Sequence, residues 1–291
     1  MKRLAALALL LPAPAFAHAG EAHGGWTLDP WVTVPLAVSA LLYAMGSRRL
    51  RSRSDHGRGA LRRQACLFWA GWTILAAALV SPLHEAGESS FALHMIEHEL
   101  IMLPAALLLV ASRPGAAMLW ALPARLRSAL GGAARGGRPL WHFLTDPVVA
   151  TIVQLAALFA WHVPALFDRA LASEGWHIAQ HLSLLASALV FWWAMAHGRS
   201  GRFGYGAASL CLFLTSLAGG ALGALMAFSA SPWYSGYAAL AVTASGLGPA
   251  EDQQLAGLLM WIPGGIFHAA AALFLLWKWI KSSEVGHAFA E

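Results

Sequence analysis

Seven apolar segments account for most of this chain and determine what it can fold into. An apolar run of about 20 residues has the length of a membrane-crossing helix. Inside a bilayer such a segment must be helical, because an open strand edge would leave backbone groups without hydrogen-bond partners. The sequence therefore predicts an all-α polytopic membrane protein, with a seven-transmembrane-helix bundle over residues 31–281. The apolar segments are residues 31–46, 65–83, 92–112, 147–166, 178–196, 207–230 and 255–280.

The composition excludes an ordinary soluble domain. Apolar residues make up 58% of the chain and charged residues 11%, whereas about a quarter of a soluble domain is charged. The formal net charge of +5 comes from basic residues in short loops between the apolar segments, a distribution that membrane topology explains. We therefore expect the lipid bilayer, and no nucleic acid, as a partner.

The N-terminus has the features of a secretory signal peptide. Two basic residues at positions 2 and 3 precede an apolar run at 4–11 and a small-x-small cleavage motif that ends at Ala17. We expect residues 1–17 to be removed and residues 18–30 to form an exported segment; the alternative is a short uncleaved anchor. If cleavage exposes His18, we expect its amino group and imidazole to form a copper(II) chelate, with His23 as a further ligand.

The basic residues also predict the orientation of the bundle. Loops with an excess of Lys and Arg remain on the cytoplasmic side, and after the signal peptide only Arg169 falls on the opposite side. The prediction is an N-terminus outside, a C-terminus inside and a cytoplasmic tail at 282–291, in a bacterial inner (plasma) membrane. The basic residues of the predicted inner side are Arg48, Arg49, Arg51, Arg53, Arg58, Arg62, Arg63, Arg113, Arg125, Arg127, Arg135, Arg138, Arg199, Arg202, Lys278 and Lys281.

Histidines are the unusual residues of these apolar segments. The chain has 13 of them against 14 carboxylates, and ionisable side chains are rare in transmembrane helices unless they have a function. His94 and His98 lie four residues apart on the third predicted helix, and His177 and His181 repeat this spacing on the fifth, so each pair shares one helix face. With a rise of about 1.5 Å per residue, His98, His162 and His181 all fall about 6 Å below the outer surface.

Other side chains extend this candidate metal site. Met95 is close in sequence, and Met260 falls at a similar depth on the seventh predicted helix. Glu97 is either an orienting partner of a histidine or a packed, protonated carboxyl, and Asp252 is either a helix cap or a functional group. Imidazole with thioether suits copper, Cu(I) in particular, whereas a three-histidine layer also suits zinc. We predict copper, with zinc as the alternative.

Five motifs follow one another along the chain. They are His94-Met95-Ile96-Glu97-His98-Glu99-Leu100-Ile101-Met102, Trp161-His162-Val163-Pro164, Trp176-His177-Ile178-Ala179-Gln180-His181 leading to Phe191-Trp192-Trp193, Ser231-Pro232-Trp233-Tyr234, and Asp252-Gln253-Gln254-Leu255-Ala256-Gly257-Leu258-Leu259-Met260-Trp261. In this order they resemble the multi-span cytochrome c oxidase assembly factors called CtaG. The resemblance runs over residues 65–280.

This resemblance implies a function. It assigns the family's histidines to the five named above and its acidic-amide motif to Asp252, Gln253 and Gln254. The predicted protein is a non-enzymatic inner-membrane assembly factor, a copper chaperone for a haem-copper cytochrome oxidase. It would bind copper at a periplasm-facing histidine layer and deliver it to the oxidase. The expected partners are oxidase subunits and a periplasmic copper donor.

Three alternatives fit the same residues. The main one is an intramembrane zinc-dependent hydrolase, because His94-x-x-Glu97-His98 matches a zincin-type motif in which two histidines bind metal and the glutamate activates water. A haem-binding electron carrier would use His98 and His181 as axial ligands. A copper importer would need ionisable residues deeper in the bundle, where only His268 is found.

Overall fold

The computed structural model describes residues 25–53, 57–197 and 204–288, and every regular element in these ranges is helical. The predicted signal peptide, His18 and His23 lie outside the described residues. The helices are α1 (Pro30–Ser52), α2 (Arg58–Val80), α3 (Pro82–Gly87), α4 (Phe91–Leu100), α5 (Ala106–Ser112), α6 (Pro114–Ala121), α7 (Ala124–Gly136), α8 (Arg138–Leu144), α9 (Pro147–His162), α10 (Pro164–Ala172), α11 (Glu174–His197), α12 (Gly204–Ala227), α13 (Ser235–Ala238) and α14 (Pro249–Ala288).

Six helical segments of the described chain are long and apolar enough to cross a membrane. They are α1, α2, the continuous segment Phe91–Ser112, α11, α12 and the Pro249–Lys281 part of α14. A seventh span is obtained only if α8 and α9 count together, and these two helices are bent by 70° relative to each other. The predicted count of seven therefore depends on this broken span.

The fourth predicted segment, residues 147–166, is shorter in the structure than expected. Helix α9 ends at His162, the next residue is extended with ψ 124°, and α10 begins at Pro164. Proline disfavours helical backbone in the residue before it and is favoured at the first position of a new helix. His162 consequently lies in the last turn of α9, next to a sharp change of chain direction.

The third span contains a π-helical turn just after the histidine pair of α4. It covers Ile101–Ala105 and includes Pro104, which has no amide hydrogen to donate. The indole Nε1 of Trp192 donates a hydrogen bond of 2.8 Å to the carbonyl oxygen of Met102 within this turn. A π turn widens the helix and leaves backbone groups to be satisfied by neighbours, and Trp192 of α11 has this role here.

Two ends of the bundle differ in composition. The histidine end comprises the short helices α3, α10 and α13 with the adjoining ends of the spans, and the arginine end lies opposite, with α6 and α7. At the histidine end, the Tyr237 hydroxyl donates to the Gly87 carbonyl over 2.6 Å, and Ser235 bonds to Asp168 over 2.8 Å. These bonds connect the short helices to one another and hold this end together.

Helices α12 and α14 make the most extensive helix–helix contact among the described residues. A Cβ atom added at Gly223 would lie 2.7 Å from the carbonyl oxygen of Gly257, and one added at Gly257 would lie 2.4 Å from that of Gly223. The two backbones can approach this closely only because both residues lack a side chain. This contact sets the position of Met260, one turn further along α14.

Candidate metal centre

Five imidazole rings from three helices meet at the histidine end. His94 and His98 come from α4, His177 and His181 from α11, and His84 from α3. Ring centroids are 4.3 Å apart for His94 and His98, 4.5 Å for His177 and His181, and 5.1 Å for His98 and His181. The His84 ring stacks on that of His177 at 5.1 Å. Spans that are distant in sequence therefore place their rings in mutual contact.

The rings form two triads that share one histidine. The outer triad is His84, His177 and His181, and the inner triad is His94, His98 and His181. In each triad one ligand atom per ring lies within 4.8 Å of the others. A tetrahedral ion with nitrogen ligands at about 2.0–2.1 Å holds those nitrogens about 3.4 Å apart. Small ring movements would close either triad around a single ion.

Many nitrogens of these rings have no hydrogen-bond partner within the described protein. Both nitrogens of His94 and His98 are buried and unpartnered, as are the Nε2 atoms of His177 and His181. A buried polar atom without a partner costs about 1–3 kcal/mol, and folded proteins contain few of them. Each neutral ring has one lone pair, so this group of unpartnered nitrogens fits a cluster that an ion, or water, completes. The donor set therefore suits a metal that imidazole binds.

Glu97 connects the two triads. Its Oε1 atom is 2.7 Å from Nδ1 of His84 and 3.7 Å from Nε2 of His181, and its side chain is fully buried. Burial of the ring lowers the pKa of His84, but the hydrogen bond and the charge of Glu97 outweigh this, so the pKa lies above its ordinary value. Such a carboxylate fixes the orientation of a metal-binding ring.

His84 was missed in the sequence analysis because it lies between two predicted spans. Its position follows from a local signal: Ser81 accepts a hydrogen bond from the Leu83 amide, and Pro82 occupies the first turn of α3. Serine before proline is a typical helix start. That signal predicts a short helix carrying His84, but only the folded chain places this helix against α4 and α11.

The outer triad opens onto a groove beside the bundle. The groove has a volume of about 1040 Å³, and His84, His177 and His181 are among its lining residues. Most of the remaining lining is apolar, including Trp72 and Trp193. His94 and His98, by contrast, are buried, with exposed fractions of 0% and 4%. The outer triad is therefore more accessible than the inner one.

Comparison with known proteins identifies the family. The profile described as cytochrome c oxidase caa3 assembly factor (Caa3_CtaG) matches residues 41–282. The chain belongs to this family. The resemblance to CtaG drawn from the five motifs is thereby confirmed. Neither the curated proteins nor the solved structures yielded a match.

His162 of this CtaG-family chain lies outside both triads. Its Nδ1 atom is 2.7 Å from the Leu158 carbonyl oxygen, while Nε2 is buried without a partner. His162 instead lines a small cavity together with His98, Met95 and Met260. The single histidine layer expected from helical depth is thus divided into a five-ring cluster and a separate cavity.

The predicted acidic-amide motif anchors the loops in this chain. Asp252 is buried and accepts hydrogen bonds of 2.7 Å from Ser90 and 2.6 Å from Ser245. Gln253 accepts a bond of 2.6 Å from the Trp233 amide. Asp252 therefore belongs to neither triad, and its contacts connect the start of α14 to the start of α4.

Proposed function

We propose that this protein is an assembly factor that holds copper at the histidine cluster and passes it to a haem-copper oxidase, of the caa3 type named by its family. The observation that carries this proposal is the pair of triads sharing His181, with unpartnered nitrogens buried among them. Neutral imidazole is a common ligand for copper and zinc. The absence of thiolates from both triads suits a site that releases its ion, since thiolate holds soft metals more firmly.

The groove supports a role in transferring copper to partners rather than in storing it. An ion held by His84, His177 and His181 lies at the wall of an open groove, within reach of a donor or an acceptor. An ion held by His94 and His98 is enclosed. We infer that copper is exchanged with partners at the outer triad and retained at the inner one. The acceptor is an oxidase subunit, and the donor is a copper-carrying protein of the exported side.

The proposed orientation places the histidine end on the exported face of a bacterial inner membrane. The basic residues of the described chain cluster at the arginine end, apart from Arg169 in α10. Loops rich in Lys and Arg stay in the cytoplasm. Copper would therefore meet the outer triad from the periplasm, consistent with the predicted cleaved signal peptide.

Zinc-dependent hydrolysis is the competing function. The contacts of Glu97 distinguish it from copper transfer. A hydrolase needs this carboxylate to face a metal-bound water. Here Oε1 of Glu97 bonds to His84, which suits an orienting role, although Oε2 is buried and unpartnered. We propose copper transfer without catalysis.

Metal analysis of the purified protein tests this proposal. Wild type, the double variant His94→Ala/His181→Ala and the control His142→Ala are purified in detergent, equilibrated with equal Cu⁺ and Zn²⁺, and analysed by mass spectrometry. His142 is exposed on α8 at the arginine end, so its loss should leave metal binding unchanged. We expect copper in wild type and control, and a loss of about one ion per chain in the double variant.

Three results would overturn the proposal. Wild type that binds no copper, or a double variant with undiminished copper, removes the cluster as a copper site. Zinc in place of copper, together with amidase or esterase activity that Glu97→Gln abolishes, would establish the hydrolase.

A further inference from the structure

A second cavity lies beside the inner triad and is lined by residues of α4, α9, α12 and α14. It has a volume of about 40 Å³, enough for one ion or one water molecule. Its lining contains the sulfur-bearing residues Met95, Met102 and Met260 together with His98 and His162. We call it the thioether chamber. Neither triad includes any of its methionines.

The chamber carries an imidazole that is set up to accept an ion. Nδ1 of His162 bonds to the Leu158 carbonyl oxygen over 2.7 Å, and a carbonyl can only accept, so the proton is on Nδ1. Nε2 then carries a lone pair, and it is buried without a partner. Histidines that bind metal commonly donate their other ring nitrogen to a backbone carbonyl in this way. His268, which also lines the chamber, makes the same bond to Gly264 over 2.8 Å.

The methionine thioethers determine which metal ion the chamber would select. Met95 and Met260 are buried, with exposed fractions of 1% and 7%, and they come from different helices. Thioether and imidazole together select soft Cu(I) over harder divalent ions. Two sulfurs and one neutral imidazole also carry no charge, which suits a monovalent ion better than a divalent one.

A carboxyl group in the same chamber can balance the ion's charge by losing its proton when the ion binds. An isolated charge is costly in a low-dielectric interior unless an opposite charge accompanies it. Glu99 lines the chamber, and its Oε2 atom is buried without a partner. A Cβ added at Gly264 would lie 3.1 Å from this oxygen, so the glycine leaves room for the carboxyl group against α14.

We propose that the thioether chamber is a second, Cu(I)-selective site, with His162, Met95 and Met260 as its ligands. This proposal rests on copper being the cargo of the histidine cluster. His98 connects the two sites, because it belongs to the inner triad and also lines the chamber. Copper that enters at the outer triad therefore has a continuous series of ligands leading to a sulfur-rich position inside the bundle.

X-ray absorption and copper content test the chamber together. Wild type, Met95→Leu/Met260→Leu and the control Met226→Leu are loaded anaerobically with Cu⁺ buffered by bicinchoninate. Leucine conserves the volume of methionine, and Met226 is equally buried but does not line the chamber. We expect about two copper ions per chain in wild type and control, with sulfur in the copper shell. We expect about one ion, bound by nitrogen alone, in the double variant.

The other possible outcomes contradict either the chamber proposal or the proposed function. A copper shell of nitrogen alone in wild type would overturn the proposed chamber site. Unchanged copper content and sulfur scattering in the double variant would do the same. Either result leaves the histidine cluster as a copper site and the chamber as a cavity for water. Wild type without copper overturns the proposed function itself. Unfolding temperatures of the three proteins show whether the leucines disturb the fold. If the double variant unfolds early, His162→Gln replaces it, with the same expected loss of sulfur scattering.

Discussion

The glycine contact between α12 and α14 makes a sharp prediction about stability. In Gly257→Ala, the new methyl group would lie 2.4 Å from the Gly223 carbonyl oxygen and 2.5 Å from the Ala227 nitrogen. Both neighbours are backbone atoms, so no side chain can rotate away. Ordinary contact begins near 3.4 Å, which requires the helices to separate by about 1 Å.

The expected cost is the difference of two effects. Forcing an extra carbon into a packed contact costs about 1–3 kcal/mol, while replacing glycine by alanine inside a helix gains about 0.5–1 kcal/mol. Gly257→Ala should therefore lower the free energy of unfolding by up to about 2.5 kcal/mol. Gly265→Ala on the same helix is the matched control. Its added carbon would meet only Ser216 Oγ, at 3.7 Å, so this change should stabilise by about 0.5–1 kcal/mol.

Cysteine reactivity measures both changes. Cys211 is buried and Cys66 is exposed, so in a Cys66→Ser background a thiol-reactive dye reports unfolding of the bundle through Cys211. Unfolding is followed against increasing sodium dodecyl sulfate in mixed micelles. If Gly257→Ala proves as stable as Gly265→Ala, the helices do not need the glycine contact, and the argument for the close approach of α12 and α14 is wrong.

Three further changes test the site and its surroundings. Glu97→Gln should weaken copper binding about 10–100-fold in chelator competition, because His84 loses the carboxylate that orients it. Asp252→Asn should cost about 1–3 kcal/mol in the same unfolding assay, because buried donors lose an acceptor; copper content per folded chain should not change. Trp192→Phe should cost about 1–3 kcal/mol there, because the Met102 carbonyl in the π turn loses its donor.

The outcomes that contradict these predictions differ. Wild-type copper affinity in Glu97→Gln would remove the orienting role. A folded Asp252→Asn protein without copper would make this carboxyl part of the metal site rather than an anchor. Undiminished stability in Trp192→Phe would mean that water satisfies the π turn.

The sequence alone determined the fold class and most of the histidine set. Apolar length decides where spans lie, because hydrocarbon forces any such segment into a helix. Spacing of four decides that His94 and His98 share a face, because the helix repeats every 3.6 residues. The five motifs identified the family, which the family profile confirmed over residues 41–282.

Only the tertiary structure decided which rings meet. Helical depth placed His162 beside the other histidines, but depth says nothing about rotation around the bundle, and His162 lies instead in the thioether chamber with Met95 and Met260. His84 lies between two predicted membrane spans, so the pattern of spans did not indicate it. Helix α3 nevertheless brings its ring within 2.7 Å of the Glu97 carboxylate. The break at Pro164 and the approach of α12 and α14 set these positions. They depend on how helices pack, a property of pairs of segments that no single segment contains.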